Sequence, residues 1–283
     1  MILALLLSCT TDVSIMKRND NDTSSVVVDT QDSTTLPPNE RSGITGYNYL
    51  HLRQVACPAC VGETQEITIT YEAQFHQPIS DSHTEWIPAV GSCTDNMFGV
   101  DPSTVPQSVG SSIMINNPAH SFSVPAMGEG FYWTNSIWES QLQRDAFYSV
   151  STEAGSYGFF STHGFDFIEP YTLLWVDPSY AFDAPISRSG ASFFWGPTSM
   201  DAQFMVTVAV YSSDGSQMLG YVVCTGPDNG SLTVPGQYLQ YPAGSLTSVH
   251  LSRYQVELVE TDINNSYIES HMEWEVVGTG HIE

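Results

Sequence analysis

From residue 46 onward, hydrophobic and polar positions alternate in short stretches that are typical of β-strands. The clearest stretch covers residues 64–75, where every second side chain is apolar or aromatic (Ile67, Ile69, Tyr71, Ala73 and Phe75). A period of two puts such side chains on one face of a strand. Shorter runs of the same kind predict further strands at residues 113–115, 121–125, 147–150, 157–161, 171–176, 204–211, 219–224, 231–234, 249–259 and 271–277. Only residues 134–145 have helical character, so the pattern predicts an all-β protein.

Turn-forming residues divide these strands into two groups. Gly, Pro, Asn and Asp separate the strands at a spacing typical of antiparallel sandwiches of the immunoglobulin-like or jelly-roll-like kind. Near residues 177–186 the turn-forming sequences Asp177-Pro178 and Asp183-Ala184-Pro185 indicate a domain boundary. We therefore predict two tandem antiparallel β-sandwich domains, at residues 46–182 and 183–283, each of ordinary domain size.

The N-terminus carries a candidate export signal. An apolar run ends in Leu6-Leu7-Ser8-Cys9, which resembles the lipobox of bacterial lipoproteins at each position. In that family the signal peptide is removed before the cysteine, whose thiol then carries a diacylglycerol. No Lys or Arg precedes the run, which departs from the usual signal. The resemblance implies that residues 1–8 are a signal remnant, that Cys9 is lipidated, and that the polar, Pro-containing residues 9–45 form a disordered tether.

Charge is scarce and one-sided. Only 13% of the residues are charged, and 31 acidic against 7 basic residues give a net charge of −24. A field of this sign repels phosphate backbones, so nucleic acid is excluded as an expected partner. It also repels anionic headgroups, so membrane attachment is expected through the lipid at Cys9. Solubility outside the cell is the favoured interpretation of the charge, with specific cation binding left open.

Four cysteines follow Cys9, namely Cys57, Cys60, Cys93 and Cys224. An even number in an exported chain predicts disulfides, with three possible pairings. The Cys57-Pro-Ala-Cys60 pair precedes a strand, and it lacks the helix N-terminus that activates such thiols in redox enzymes. A structural disulfide is favoured over redox chemistry. Zinc at this pair stays open as a weak alternative, with His76 and His83 as the nearby candidate ligands, beside His51 and Cys93.

No other motif predicts catalysis or a dedicated metal site. The chain has no nucleophile elbow, phosphate-binding loop or zincin helix motif. The remaining histidines lack ligand spacing, and the acidic run Glu257, Glu260, Glu273 and Glu275 is interpreted as a solvated face. Asp214 and Asp228 lie in Asp-Gly and Asp-Asn-Gly sequences, where turn formation is favoured over calcium binding. A pair of carboxylates that meets only in space, as in glycoside hydrolases, is left open.

Aromatic residues are the main candidates for a binding surface. Exposed Trp and Tyr on a β face stack on sugar rings or anchor protein partners. The candidates here are Trp86, Phe131, Tyr132, Trp133, Trp138, Trp195 and Trp274. Packing between the two predicted domains is the favoured explanation for them, and a binding surface is the alternative.

Several local sequences resemble a known class of proteins. They are the segments 46–50, 73–75 and 91–93, the pair Phe194-Trp195, Cys224, and the segments 228–231, 234–235 and 249–253. Together they look like uncharacterised surface lipoproteins of predatory and related deltaproteobacteria, over most of residues 46–255. The resemblance implies export and an all-β architecture and brings no activity. The Cys57–Cys60 pair is not part of that pattern.

These features together favour a non-catalytic cell-envelope lipoprotein, located at the outer membrane, periplasm or cell surface. We expect it to act in adhesion, ligand binding or surface assembly, with a carbohydrate or protein as partner and no cofactor besides the lipid on Cys9. The alternatives are a secreted hydrolase or carbohydrate-active protein with an acidic pair, and a metal-handling protein that uses Cys57 and Cys60.

Overall fold

The computed structural model describes residues 43–55, 67–80, 87–95, 104–143, 146–153, 155–161, 175–176, 184–196, 202–261 and 266–283, and it confirms the all-β prediction. The strands are β1 (Ile44–Val55), β2 (Ile67–Ile79), β3 (Cys93–Thr94), β4 (Ser112–Asn116), β5 (Ser121–Gly128), β6 (Phe131–Thr134), β7 (Phe147–Thr152), β8 (Gly155–Ser161), β9 (Trp175–Val176), β10 (Ala184–Ile186), β11 (Gly190–Phe194), β12 (Gln203–Tyr211), β13 (Met218–Pro227), β14 (Ser231–Pro235), β15 (Leu246–Thr261) and β16 (Ser266–Ile282).

Helical structure in these ranges consists of two single 3₁₀ turns, Glu139–Gln141 and Gly236–Tyr238. The helical stretch expected at residues 134–145 is therefore wrong, since its described part holds only the end of β6, extended chain and the first of these turns. No helix in the part of the chain that the structure describes is long and apolar enough to cross a membrane.

Within the described residues, thirteen strands form one sheet, in the order β10-β16-β1-β2-β6-β5-β4-β7-β8-β15-β12-β13-β3. A small second sheet has the order β14-β11-β9. The longest element is the β15–β16 hairpin, whose ladder runs from Leu246 opposite His281 to Thr261 opposite Ser266. One side of β16 is paired with β15 and the other with β1 and β10, so β16 is central to the sheet.

Two ladders are parallel, which departs from the purely antiparallel prediction. Both β1 and β10 run parallel to β16. Strand β1 lies in the first predicted domain and β16 in the second, so the two predicted stretches share one continuous ladder. A parallel partner needs a long connection, and the chain between β1 and β16 supplies one of more than two hundred residues.

Apolar side chains from both stretches pack on one face of this shared sheet. Leu50 and Leu52 on β1, Met272 and Val276 on β16, and Val206 on β12 are all buried in one cluster. Each such side chain contributes about 1.5–3 kcal/mol when it leaves water. Ile113, Val124 and Val150 from the β4–β5–β7 region belong to the same cluster, so most buried apolar side chains in the described residues form one core. A smaller cluster lies apart from it and contains Ile87, Met205, Val223 and Tyr254.

A disulfide joins the edge strand β3 to its neighbour. Cys93 lies directly opposite Cys224 in the β3–β13 ladder, and the two are bonded across a sequence separation of 131 residues. This confirms the prediction of a disulfide and selects its pairing. Cys57 and Cys60 lie outside the described residues.

Removing this disulfide is expected to destabilise the protein strongly, because the reduced chain gains loop entropy when it unfolds. For a loop of this length the chain-entropy model gives about 5 kcal/mol, and measured losses are about 2–5 kcal/mol. We expect the Cys93→Ala/Cys224→Ala variant to show this loss in the free energy of unfolding by urea denaturation. A Cys57→Ser/Cys60→Ser variant is the comparison, and an equal loss in both variants would contradict the special role of the β3–β13 bond.

Candidate metal site

The face of the sheet opposite the core carries a group of ionisable side chains on three neighbouring strands. The parallel register places His51 of β1 beside Glu273 of β16, and Arg53 beside Glu275. On the other side of β16, the antiparallel ladder brings His250 of β15 opposite Val277 and within reach of Glu275. Because side chains alternate along a strand, the same ladders that bury Leu50 and Leu52 on one face assemble these polar groups on the other.

Glu275 is the centre of the group. Its Oε2 accepts a hydrogen bond from Arg53 Nε at 2.7 Å and lies 3.2 Å from His51 Nε2. Its Oε1 is hydrogen-bonded to His250 Nδ1. The Glu275 side chain is only 7% exposed, and a carboxylate so far from water persists only with such partners.

The electrostatics follow from this burial and pairing. Burial by itself raises the pKa of Glu275, but the charges and hydrogen bonds of His250 and His51 hold that pKa well below its usual range. Burial lowers the pKa of His51, yet the hydrogen bond and charge of Glu275 raise it above its ordinary value overall. Glu275 is therefore ionised at neutral pH, and it attracts cations.

Glu273 is held by Tyr49, whose hydroxyl donates to Glu273 Oε2. Burial, followed by the charge of Glu273, raises the pKa of Tyr49 well above its usual value, so the phenol stays a hydrogen-bond donor. The Tyr49 ring stacks on the His51 ring, with centroids 5.3 Å apart and planes 12° from parallel. Tyr49 thus orients both His51 and Glu273.

A serine extends the network on β15. Ser248 Oγ lies 2.8 Å from His250 Nε2, and His250 Nδ1 is bonded to Glu275. Both ring nitrogens of His250 therefore have partners within the network. The sequence of contacts runs from a half-buried serine through a histidine to a buried carboxylate.

Three of these side chains can bind one metal ion. His51, Glu273 and Glu275 each offer a ligand atom, and the three atoms lie within 4.8 Å of one another. In tetrahedral zinc sites, metal–ligand bonds of about 2.0–2.1 Å place neighbouring ligand atoms about 3.3 Å apart. The separation of 3.2 Å between His51 Nε2 and Glu275 Oε2 matches such an edge. An imidazole with carboxylates favours zinc or a related transition metal over Ca²⁺ or Mg²⁺, which prefer oxygen ligands.

Of the zinc ligands considered from sequence, His51 belongs to this group, whereas Cys93 is bonded to Cys224. His76 is buried in β2, with its Nδ1 2.7 Å from the Gln77 carbonyl oxygen, and it is not in the group around Glu275. The other candidates, Cys57, Cys60 and His83, lie outside the described residues, as does the lipidation candidate Cys9. Among the residues that the structure describes, His51, Glu273 and Glu275 are the one group with metal-ligand geometry.

The two calcium candidates have structural roles. Asp214 closes the β12–β13 turn by accepting hydrogen bonds from Ser212 and Ser216, which lower its pKa to about 2. Asp228 is buried, and its two oxygens accept from Trp195 Nε1 and from Arg253 Nε. The Asp214 carboxylate thus stabilises a turn, as the sequence predicts, and the Asp228 carboxylate is paired inside the protein.

Burial corrects the aromatic hypothesis for three of its residues. Tyr132, Trp195 and Trp274 lie in the core, and Trp195 stacks on Phe204 with 3.5 Å between ring centroids. None of these three can form an exposed platform. Phe131 and Trp133 are half-buried, Trp138 is 74% exposed, and Trp86 lies outside the described residues. Trp138 is therefore the candidate that presents its ring to solvent.

The prediction of a solvated acidic face near the C-terminus is wrong for Glu273 and Glu275. Both are buried, so this face of the sheet is not solvated at these two positions. Alternating Glu and apolar residues on a strand ordinarily indicate one wet face. No local signal distinguishes a covered polar face, so the pairing of these residues with His51 and His250 could not be predicted.

Comparisons with known proteins provide no relative from which a function could be inferred, so function is inferred from the geometry of the site. No protein-family model matches the chain. No curated protein matches it either.

His76 supplies a test of the buried polar groups that is independent of the metal site. Burial lowers its pKa, with the Gln77 carbonyl opposing this in part. As the pH falls, His76 in the unfolded chain takes up a proton near pH 6.5, whereas His76 in the folded protein does so only at lower pH. The stability that depends on neutral His76 is therefore present above pH 6.5 and is lost as the pH falls. We expect the melting temperature of wild type to decline more steeply than that of His76→Gln between pH 7.5 and pH 5. Parallel curves would contradict a buried, neutral His76.

Proposed function

We propose that the protein is an exported, non-catalytic envelope lipoprotein that binds a divalent transition metal, zinc in the first place, at His51, Glu273 and Glu275. The observation that carries the proposal is the convergence of these three ligand atoms within 4.8 Å. The sequence predicts a ligand-binding role, and we propose that the ligand is this metal ion.

Charge supports a cation as the ligand. Two carboxylates face one fixed cation, Arg53, which already lies on Glu275 Oε2. A divalent ion binds the neutral imidazole of His51, so binding is favoured at neutral or higher pH. The net charge of −24 raises the local concentration of cations around the whole molecule.

Burial supports binding rather than turnover. Glu273 and Glu275 are 4% and 6% exposed, so a substrate has little access to them. Three protein ligands would leave a fourth position on zinc for water or substrate, so binding is inferred from burial and not from the number of ligands.

A secreted hydrolase is the second candidate, and one observation favours it. Ser248, His250 and Glu275 are connected in the order of a nucleophile, a base and an orienting carboxylate. The position is poor for an acyl transferase, because β15 is paired on both sides at Ser248. Its backbone N–H groups are thereby engaged, and an oxyanion needs donors that are aimed at it. Metal binding therefore ranks first.

The envelope location rests on two features. The Cys93–Cys224 disulfide is compatible with an exported protein, since such bonds persist in oxidising compartments. We propose that Cys9 carries the lipid and that residues 9–45 connect it to β1. The exposed Trp138 is then available for a carbohydrate or protein partner at the cell surface, in adhesion or assembly, while the acidic charge disfavours nucleic acid.

Zinc titration by isothermal calorimetry tests the metal proposal. We expect wild type to bind one zinc ion, and His51→Ala and Glu273→Gln to lose at least tenfold in affinity, or about 1.4 kcal/mol, because each removes one ligand. His120→Ala, which changes an exposed histidine, is the matched control and should bind as wild type does.

Two further variants distinguish this site from the alternatives. The Cys57→Ser/Cys60→Ser variant should bind zinc as wild type does. Loss of zinc binding in this variant would show that the cysteine pair, and not the group around Glu275, binds the metal. Ser248→Ala should bind zinc normally, and abolition of an ester-hydrolysing activity by this change would favour the hydrolase.

The lipid anchor is tested by expressing wild type and Cys9→Ser in a bacterial host with lipoprotein processing. We expect wild type to sediment with membranes and to carry a diacylglyceryl mass on its new N-terminus, and Cys9→Ser to be soluble. Membrane association of both proteins would contradict lipidation at Cys9.

A further inference from the structure

The first and last described strands form a junction with an unusual geometry. β1 and β16 run parallel and are paired without interruption from Tyr47 beside Glu269 to Val55 beside Val277. The chain enters β1 at Gly43, whose carbonyl accepts a hydrogen bond from the Tyr267 amide near the start of β16. The far end of β16, Ile282, lies fifteen residues beyond Tyr267, or about 50 Å along the strand.

This geometry decides how the fold responds to tension. A pull on the chain before Gly43, resisted at the far end of β16, acts along the strand axes in opposite directions. All the hydrogen bonds of the ladder then share the force at once, whereas a hairpin pulled from its open end breaks them one by one. Slip by one residue also moves Leu50 and Leu52 from the core to the polar face. A load applied through β1 is therefore resisted by shear along the whole β1–β16 ladder.

The polar group lies across this same junction. Tyr49 and Arg53 of β1 contact Glu273 and Glu275 of β16, respectively. The candidate metal ligands are likewise divided between the strands, with His51 on β1 and both carboxylates on β16. The pull moves β1 toward its own N-terminal end, which carries His51 away from both Glu273 and Glu275.

We infer that the protein has a second, mechanical function: β1 and β16 form a shear junction that carries tension from the N-terminal connection into the fold, and a metal ion bound by His51, Glu273 and Glu275 clasps it. The inference rests on the proposed metal binding and the proposed anchor. It assigns the metal a task, which is to make attachment of the folded body to its tether dependent on cation supply.

Constant-force unfolding of the full-length Cys9→Ser chain, held by peptide tags at its two ends, tests this directly. At zinc 100-fold above the dissociation constant, linkage permits up to about 100-fold stabilisation. We expect unfolding at fixed force to slow at least tenfold with zinc in wild type and in His120→Ala, and to be unchanged by zinc in His51→Ala.

A second pulling geometry separates a clasp from general stabilisation. One tag is inserted in the exposed β12–β13 turn beside Ser213, where insertions are tolerated, and the other stays at the C-terminus, so the load bypasses β1. We expect zinc to have little effect in this direction. Equal slowing in both geometries overturns the clasp, and so does unchanged unfolding in the first geometry when calorimetry shows bound zinc. If calorimetry shows no zinc binding to wild type, the proposed function itself fails and the clasp fails with it.

Discussion

The parallel ladder between β1 and β16 is the constraint on which the rest of the structure depends. It joins the start of the described chain to its end and sets the register of both faces of the sheet at once. On one face the register brings Leu50 and Leu52 into the common core. On the other it places His51 and Arg53 against Glu273 and Glu275. A shift of one residue would exchange the two sets, so core formation and site formation are the same event.

The polar face shows how buried charge is accommodated when it is not in the core. Desolvating Glu275 is costly, and three cationic or hydrogen-bonding groups on two neighbouring strands offset that cost. The same principle operates inside the core, where the fully buried Arg253 pairs with Asp228 while Trp195 donates to the other carboxylate oxygen. The two networks differ in one respect. Arg253 and Asp228 are paired with each other, whereas His51, Glu273 and Glu275 bring three candidate ligand atoms within 4.8 Å of one another.

The alternation of apolar and polar residues within single strands could be predicted from the sequence, because it depends on local chemistry alone. Residues 67–75 form β2 as expected, and the β12 region follows its β-branched run. The helical expectation at 134–145 is wrong: Ile137 belongs to the main core cluster from a stretch without regular secondary structure, so its burial depends on tertiary packing and not on a helical face. Strand β1 lacked a clear period because it is covered on both faces, with Tyr49 and His51 on one side and Leu50 and Leu52 on the other.

The sequence by itself determined the all-β class, the turns, the acidic character and the presence of paired cysteines, since each follows from residue type and short-range spacing. Tertiary structure alone decided which cysteines pair and that β1 crosses to β16. It also decided that Trp195 and Trp274 are internal and that two glutamates of an apparently solvated strand are buried beside histidines from other strands. These outcomes depend on contacts between residues more than twenty, and in places more than two hundred, positions apart. No local pattern encodes which of many acidic side chains will meet His51.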